Sequence, residues 1–529
     1  MHWANLTATQ LTAGHNPEDV IVCASGISPS GHVHIGNFRE VVTTHYVVEA
    51  LKKKGFKTRF IFSWDDYDRF RKVPAGLPET PHIPEGLEAF IGMPYSEVPD
   101  PYGCHASYAE HFEKAFEIAL ARFGIVPEFI YQSQMYQSGS YTAQIREALI
   151  NRHQIYDIIT SYKTQDWDPI ERESYYPISL YCRSCGKDTI NRLHFDENED
   201  IIEYTCACGH HEFTELEGFN RIKLTWKVDW PMRWRYENVR FEPGGRDHSA
   251  ETGSYRVSSD IARRILGFEP PHYIPYEFIG LKGSHAKMSS STGHLITPEE
   301  LLNVYPPELV LFLYAKYHHG DAFDIGTDEE VNRLFSEYER YVASYQQLDE
   351  GLREILDFSR ANETALHLGP KFSSIASTLP LLGYDRTLLM HLMAEFDFSD
   401  ERTLRAFHQK CDYATYWLKN LRSKQSPCIQ EVFDTDYYKS LSQMERQWVD
   451  EFKFLIIAQS DFIHQLSSDD LMSRIYDIVT HDDGQMRRKL QKRFFEIIYH
   501  LVLGQGNGPQ LSILVKMLPL QQLVSLLSA

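Results

Sequence analysis

The chain has 529 residues, well beyond the roughly 250–300 at which a single hydrophobic core stops growing, so we expect several packed units. A hydrophobic fraction of 43% and a charged fraction of 24% are typical of a globular chain and exclude one that is mainly disordered. The formal net charge of −20 excludes indiscriminate nucleic-acid binding, because such a partner would need local basic patches on an acidic body.

The N-terminal residues 1–5 show no basic leader followed by an apolar stretch. No later segment approaches the roughly 18 apolar residues of a membrane span. Eight cysteines are too few for a disulfide scaffold in a chain of this length. We therefore expect a cytoplasmic protein without a membrane partner.

The first predicted elements form a strand–loop–helix–strand unit. The branched apolar run Val20–Ala24 predicts a buried strand, and a loop with Gly and Pro follows at 26–31. Helical spacing of apolar residues extends over 38–51, and 58–64 predicts the next strand. Because doubly wound parallel sheets bind nucleotides at the loop that follows such a strand, we expect a Rossmann-like catalytic domain beginning with residues 1–105.

Three further segments follow. Residues 106–218 contain helical patterns and then a cysteine-rich window, which predicts an insertion in the catalytic domain. Strand-like and Gly-rich segments resume in 219–330, which we interpret as the second half of the α/β domain and a linker. Helical periodicity dominates 331–529 and predicts an all-α C-terminal domain; it is clearest in 337–356, 402–421 and 486–502.

A first group of polar residues lies between the first strand and the first helix, in the segment Pro29–Asn37. Gly31 and Gly36 allow close backbone approach, and a helix N-terminus favours anions. His34 and Asn37, three residues apart, can donate hydrogen bonds to phosphate oxygens. The alternative is that His34 only caps the helix or fills a satisfied polar site.

A second group, Gly280–Gly293, is a loop of small residues that carries the cations Lys282 and Lys287. Lys287 would stabilise the charge that develops on a departing pyrophosphate, and neighbouring hydroxyl and backbone N–H groups would contact the phosphates. A solvated loop without this role is the alternative.

Four cysteines are paired in a short window: Cys182 and Cys185, then Cys206 and Cys208. Four thiolates make a closed structural zinc site, and the adjacent glycines permit the tight turns that such a site needs. Because only one residue separates the second pair, a histidine could replace one thiolate; the candidates are His194, His210 and His211. Buried free cysteines are the other reading.

In this order, with an insertion between them, the two loops resemble the paired signature motifs of class I aminoacyl-tRNA synthetases. His34-Ile35-Gly36-Asn37 fits the first motif, with Asn37 in place of a second histidine. The second motif begins at Lys287, and Ser290 stands where many members carry a second lysine. Lys287, with Lys282, would then carry more of the charge stabilisation.

Two further blocks, 64–74 and 228–234, resemble the lysyl subgroup of class I. The resemblance implies activation of L-lysine with ATP–Mg²⁺ to lysyl-adenylate, transfer to tRNA(Lys), and an anticodon-binding role for the helical domain. It implies His34, Asn37 and Lys287 as catalytic residues. The implied ATP-binding residues are Pro29, Gly31, His34, Gly36, Asn37, Lys287, Met288, Ser289 and Ser290.

The same resemblance implies an amino-acid pocket. In the subgroup, the positions of Gly26 and Ser28 contact the amino acid, a tryptophan matching Trp226 or Trp230 lines the pocket, and 244–248 faces the active site. Residue chemistry independently requires an anion for the lysine ammonium and an apolar wall for its methylenes. The candidate acids are Asp66, Asp229, Asp247 and Glu277, and His248 adjoins them; each acid could instead be solvated or structurally paired.

Three other functions stay open. A class I synthetase for glutamate shares the helical domain, and glutamate-dependent pyrophosphate exchange would identify it. A noncatalytic tRNA-binding paralogue would keep the zinc module but not the motif residues. A small-molecule nucleotidyltransferase would be shorter. The basic run 487–493 could meet tRNA phosphates or form a solvated helix face.

Overall fold

A computed structural model describes residues 1–163, 167–282, 296–360, 365–422, 428–463 and 465–528. The chain forms two compact units. The first unit comprises Met1–Leu302, Val310–Ile325 and Asp349–Ser359. The second unit comprises Asn303–Leu309, Gly326–Leu348 and Arg360–Ala529.

The strands follow one another in chain order and all lie in the first unit. They are β1 Val20–Ile27, β2 Lys57–Trp64, β3 Glu128–Tyr131, β4 Ile178–Leu180, β5 Ile190–Asp196, β6 Ile201–Cys206, β7 His211–Glu215, β8 Ile222–Leu224, β9 Val239–Gly245, β10 His272–Tyr276, β11 Ile279–Leu281 and β12 Phe323–Ile325.

The helices of the N-terminal part of the chain alternate with these strands. They are α1 Trp3–Thr12, α2 Ile35–Lys53, α3 Tyr108–Arg122, α4 Gln132–Gln137, α5 Thr142–Ile150, α6 Arg152–Ser161, α7 Pro169–Ser174, α8 Trp226–Glu237, α9 Ser254–Arg264, α10 Pro298–Leu301 and α11 Pro307–Lys316. The helices of the C-terminal part are α12 Glu330–Ala343, α13 Glu350–Phe358, α14 Phe372–Thr378, α15 Arg386–Leu392, α16 Glu401–Asn420, α17 Thr435–Ser440, α18 Gln443–Ala458, α19 Ser468–Tyr476, α20 Gly484–Leu503, α21 Leu511–Met517 and α22 Leu520–Leu526.

The core of the first unit is a five-stranded parallel sheet in the order β10-β9-β1-β2-β3. The strand order runs outward in both directions from the β1–β9 neighbours, so the topological switch point lies between them. β1 pairs with β9 at Val22↔Val239 and Cys23↔Phe241. The carboxyl ends of these strands therefore flank the crevice where a doubly wound sheet binds its ligands. The predicted α/β fold with a parallel sheet is confirmed.

The edge strand β3 pairs with β2, so the sheet continues beyond residue 105 into the range 106–218 that we assigned to the insertion. The remaining part of that range contains an antiparallel sheet, β5-β6-β7, beside the short pair β4–β8. Its apolar side chains form a core that includes Ile155, Leu180, Ile202 and Tyr204. Cys182 and Cys185 lie between β4 and β5, and Cys206 and Cys208 lie at the end of β6 and in the turn that follows it.

Within its described ranges, the second unit contains helices and no strand. A core cluster forms where α18 and α20 pack together, with Val449, Phe452, Phe494, Ile497 and Leu501 buried. The predicted all-helical C-terminal domain is confirmed. Among the residues whose structure is described, no helix combines the length and apolar character needed to cross a bilayer.

Candidate active site

The loop after β1 leads directly into α2, and His34 is the N-cap of that helix. The backbone N–H groups of Gly36 and Asn37 donate to His34 Nδ1 over 3.1 and 3.3 Å. Because Nδ1 accepts these bonds, the ring hydrogen resides on Nε2, which makes that nitrogen a donor. His34 therefore caps the helix and also carries a donor suited to an anion.

Gly36 is required for this arrangement. A Cβ at position 36 would lie 2.9 Å from Cε1 and Nδ1 of the His34 ring, closer than real side chains approach. The glycine thus permits the ring to fold back onto the helix end. Asn37 follows at the first turn, where the helix N-terminus favours negative charge.

The described ends of the second loop lie beside this helix start. The backbone N–H of Ile35 donates to the carbonyl of Ile296 over 3.0 Å, and β11 pairs with β12 just before the loop begins. The carbonyl of Ile279 lies 3.7 Å from the position of a Cβ on Gly36. Four predicted site residues fall outside the described residues: Lys287, Met288, Ser289 and Ser290.

A partly open pocket lies at the carboxyl ends of β1 and β9. Four of the residues predicted for the substrate line it: Gly26, Trp226, Trp230 and His248. The two tryptophan rings stack with centroids 5.0 Å apart at 18°, and the His248 ring lies 5.7 Å from that of Trp230. Burial lowers the pKa of His248, which keeps its imidazole neutral near pH 7. This wall suits an aliphatic chain.

Sequence reasoning missed the acids of the pocket. Its carboxylates are Glu40, Asp65, Glu237 and Glu242, which come from α2, the loop after β2, the end of α8, and β9. Of these, Glu237 is paired with Arg59 at 2.6 Å. Glu40 lies three residues beyond Asn37 and hence on the same helix face, which was the available signal. Glu242 lies on β9, so its place in the pocket could be predicted only from the pairing of β9 with β1.

The carboxylate of Glu40 is fixed by two hydrogen bonds. Its Oε1 accepts from the backbone N–H of Gly26 and its Oε2 accepts from the hydroxyl of Tyr276, both over 2.9 Å. Burial, reinforced by the negative charge of Glu242, raises the pKa of Glu40 to about 8. Burial likewise raises the pKa of Glu242 to about 6. A bound cation would compensate the buried negative charge.

The acids proposed from the sequence lie elsewhere. Asp66 accepts from the backbone N–H of Ser133 over 2.7 Å and also from its hydroxyl. Glu277 pairs with Arg246 at 2.9 Å. Neither Asp66, Asp229, Asp247 nor Glu277 lines the pocket, and Ser28 is also outside its lining.

Asp229 belongs to a buried chain of charges beneath the pocket. It lies between Lys223, at 3.7 Å, and Arg233, at 3.3 Å. Lys223 also contacts Asp68, and Arg233 donates to Asp65 over 2.8 Å. The Arg233 guanidinium lies 5.3 Å from the centroid of the Trp226 ring. The chain links β8, at the base of the insertion, to the floor and wall of the pocket.

Six polar side-chain atoms of pocket-lining residues have no hydrogen-bond partner within the described part of the chain. They are Ser25 Oγ, Gln132 Oε1, Tyr141 Oη, Trp226 Nε1, Trp230 Nε1 and Arg233 Nε. Since buried polar groups are normally bonded, these atoms indicate a polar ligand. An amino acid, with its ammonium and carboxylate groups, would supply partners.

The paired cysteines converge as predicted. The Sγ atoms of Cys182, Cys185, Cys206 and Cys208 all lie within 4.8 Å of one another. The distances are 3.8 Å for Cys182–Cys208 and 3.6 Å for Cys185–Cys206, close to the ~3.8 Å edge of a tetrahedron with Zn–S bonds of about 2.3 Å. Gly186 and Gly209 take φ values of 75° and 90° in the two turns, which a residue with a side chain rarely adopts.

The alternative histidine ligands are engaged elsewhere. His210 Nε2 lies 3.2 Å from Glu212, and His211 Nε2 lies 3.1 Å from Glu203. His194, on β5, is exposed and is not among the four converging donors. The donor set therefore fits a closed four-thiolate site for a soft cation such as Zn²⁺.

A second group of metal-type donors was missed by sequence reasoning. Asp100, Cys104, His105 and His111 bring one donor atom each within 4.8 Å of the others. Cys104 Sγ lies 3.1 Å from His105 Nδ1 and 3.3 Å from His111 Nδ1. The His111 ring lies 6.3 Å from that of His32 in the phosphate loop. The signal in the sequence was the concentration of metal-type donors, since residues 100–111 contain these four and also Glu110.

Activation of an amino acid by ATP needs a phosphate site and an amino-acid pocket side by side, which is the arrangement at this edge of the sheet. In a doubly wound parallel sheet, that combination is the one expected of a class I tRNA synthetase. The chain belongs to the family described as tRNA synthetases class I (K), whose model matches residues 1–362.

Curated relatives match along nearly the whole chain. The chain is 31% identical to the lysine–tRNA ligase of Treponema pallidum (strain Nichols), over 100% of this chain and 98% of the relative. It is 32% identical to that of Pyrococcus furiosus, over 97% and 96%. It is 33% identical to that of Streptomyces coelicolor, over 94% and 92%.

Proposed function

We propose that the chain is a cytoplasmic lysine–tRNA ligase of class I. It would form lysyl-adenylate from L-lysine and ATP–Mg²⁺ and transfer the lysyl group to tRNA(Lys). The observation that carries this proposal is the pocket with acidic and aromatic walls beside the His34-capped helix. Its support from sequence is the family membership and the lysine–tRNA ligases that match it over almost their full lengths.

The lysine side chain would lie along Trp226 and Trp230, with its ammonium between Glu40 and Glu242. An ammonium there gains two carboxylate partners in a partly buried site, where charge interactions are stronger than in bulk water. The α-amino and carboxylate groups would face Gly26 at the end of β1 and the Ser28 loop. Asp66 and Asp247 would support the pocket from outside, through Ser133 and through the turn that precedes His248.

In the first step, a carboxylate oxygen of lysine attacks the α-phosphorus of ATP, and the bond to pyrophosphate breaks. The N-terminus of α2, His34 Nε2–H and Asn37 would stabilise negative charge on the phosphates, with Pro29, Gly31 and Gly36 allowing close approach. Lys287, followed by Met288, Ser289 and Ser290, would bind the departing pyrophosphate. Mg²⁺ neutralises phosphate charge when ATP is bound.

In the second step, a hydroxyl of the terminal ribose of tRNA attacks the lysyl carbonyl, and AMP departs. Neither step uses a protein nucleophile, so the protein acts by positioning and by charge stabilisation. The second unit, which contains most of the predicted C-terminal domain 331–529, would bind the anticodon part of tRNA(Lys).

Zinc would order the insertion rather than take part in the reaction. Cys182, Cys185, Cys206 and Cys208 supply four ligands and thus close the coordination sphere. We propose that Asp100, Cys104, His105 and His111 hold a second Zn²⁺ that braces the outside of the phosphate loop.

Glutamate is disfavoured as the substrate because its side-chain carboxylate would face Glu40, Asp65 and Glu242 in a buried site. The test is charging of tRNA(Lys) by the purified chain with labelled lysine or labelled glutamate. Stable lysyl-tRNA is the expected product. Glutamyl-tRNA would replace the lysine assignment, and binding of tRNA without any charging would favour a noncatalytic paralogue.

A further inference from the structure

One face of the second unit concentrates positive charge without a structural partner. On α20, Arg488, Lys489 and Lys492 are exposed on the side opposite the buried Phe494 and Ile497. Within the described residues, no carboxylate lies within 4.0 Å of Arg488 or Lys489, and Lys492 reaches Glu496 only at 3.9 Å with its side chain 80% exposed. In a chain of net charge −20, such a surface is an exception.

No acid at the start of α20 neutralises these cations. The helix begins at Gly484 and its first turn contains no acid, while Arg488 and Lys489 lie in its second turn and Lys492 in its third. Asp483 is engaged as the N-cap, where its carboxylate accepts from the backbone N–H of Met486 over 2.7 Å. The positive charge of this face is therefore left for an external anion.

Aromatic rings adjoin the cations. Tyr476, at the end of α19, is 44% exposed and makes an edge contact with Phe495 at 5.3 Å between centroids. The side chain of Gln491 fixes α19 against α20 by donating to the carbonyl of Tyr476 over 3.1 Å. Arg488, Lys492 and Phe495 are four and three residues apart and hence share one face of α20. Cations beside an exposed ring are suited to an unpaired nucleotide, because the phosphate meets the cations and the base stacks on the ring.

We propose that the cationic–aromatic face formed by Tyr476, Arg488, Lys489, Lys492 and Phe495 binds tRNA, with phosphates on the three cations and an unpaired base stacked on Tyr476. The proposal rests on the proposed function, which supplies tRNA as the partner. A membrane surface fits less well, because the face offers two aromatic rings and no continuous apolar stripe to enter a bilayer.

The test is the affinity of the full chain for tRNA(Lys), measured by filter binding over a range of salt concentrations. The triple variant Arg488→Ala/Lys489→Ala/Lys492→Ala should raise Kd about tenfold or more and reduce the slope of log K against log[salt] by roughly two. Tyr476→Ala should raise Kd about tenfold, whereas Tyr476→Phe, which keeps the ring, should stay close to the parent.

The matched control removes the same charge from α16 of the same unit: Arg402→Ala/Arg405→Ala/Lys419→Ala, whose side chains are also exposed. It should leave Kd within about twofold of the parent. Equal Kd values and salt slopes for the α20 and α16 triple variants would overturn the proposal. Equal weakening by Tyr476→Ala and Tyr476→Phe would overturn the stacking role.

This result is distinguishable from failure of the proposed function. If the parent chain charges tRNA with another amino acid, the lysine assignment falls, and the same comparison on that tRNA still decides the role of the face. A vesicle of anionic lipid serves as the alternative probe. Binding to it that is lost in the α20 variant, with tRNA affinity unchanged, would reassign the surface to membranes.

Discussion

Replacing Glu40 by glutamine removes one negative charge from the pocket while preserving the size of the side chain. Truncating one partner of a buried charge pair costs about 2–5 kcal/mol, and we take about 3 kcal/mol because Glu242 remains. That corresponds to a roughly 150-fold increase in KM for lysine when Glu40 of the parent is ionised. The effect should fall mainly on KM, because Glu40 does not contact the reacting carboxylate.

The effect should depend on pH in a specified direction. The pKa of Glu40 is raised to about 8, so at pH 7 the free enzyme holds this carboxyl protonated and must release a proton to bind the lysine ammonium. One pH unit below the pKa, this release costs about 1.4 kcal/mol. KM for lysine in the parent should therefore fall about tenfold from pH 6 to pH 7 and level off above pH 8.

In Glu40→Gln that dependence should be lost, so its penalty grows from about tenfold at pH 7 to about a hundredfold at pH 8.5. Glu242, with a pKa of about 6, contributes only at the acid end, and the pKa of His248 is lowered by burial. The assay is steady-state charging of tRNA over this pH range, with Glu49→Gln, exposed on the same helix, as control. A flat parent profile together with a Glu40→Gln KM within twofold of the parent would refute the assignment.

Three other outcomes are expected. Lys287→Ala should depress adenylate formation far more than lysine affinity measured by calorimetry; a comparable loss of both would contradict its role toward pyrophosphate. Elemental analysis of the purified chain should find two Zn²⁺, with one lost in Cys185→Ser and one in His111→Ala, and two retained in His111→Ala would exclude the second site. Lys223→Met removes the buried ammonium that Asp68 and Asp229 share, although Asp229 keeps Arg233, and should lower the free energy of unfolding by about 3–5 kcal/mol in urea, partly restored in Lys223→Met/Asp68→Asn; a loss below about 1 kcal/mol would argue against the buried chain of charges.

The positions of several strands and helices could be predicted from the local pattern of apolar residues. The predicted strand at 58–64 is β2, Lys57–Trp64, and the predicted helix at 402–421 is α16, Glu401–Asn420. The predicted helix at 337–356 is interrupted in the structure: α12 ends at Ala343 and α13 starts at Glu350. Asp349 is the N-cap of α13, and its side chain accepts a hydrogen bond from the backbone N–H of Leu352. Because this cap favours a new helix start, two helices form where the apolar pattern predicted one.

The pocket could be predicted only in part. Its aromatic wall lies on one helix, where Trp226 and Trp230 are four residues apart and therefore on one face. Its acids come from α2, the loop after β2, α8 and β9, which are separated in sequence and meet only because the sheet reverses its order between β1 and β9. Asp66 and Asp229 were plausible by residue type, but each is bonded within the protein, and only the packing reveals that.

The most direct test of lysine activation is ATP–pyrophosphate exchange with each of the twenty amino acids, run with and without tRNA(Lys). We expect exchange with lysine alone, reduced in Glu40→Gln and in Lys287→Ala. Exchange supported by glutamate, or by any other amino acid in preference to lysine, would contradict it. Absence of exchange with all twenty in the presence of tRNA would contradict the catalytic assignment itself.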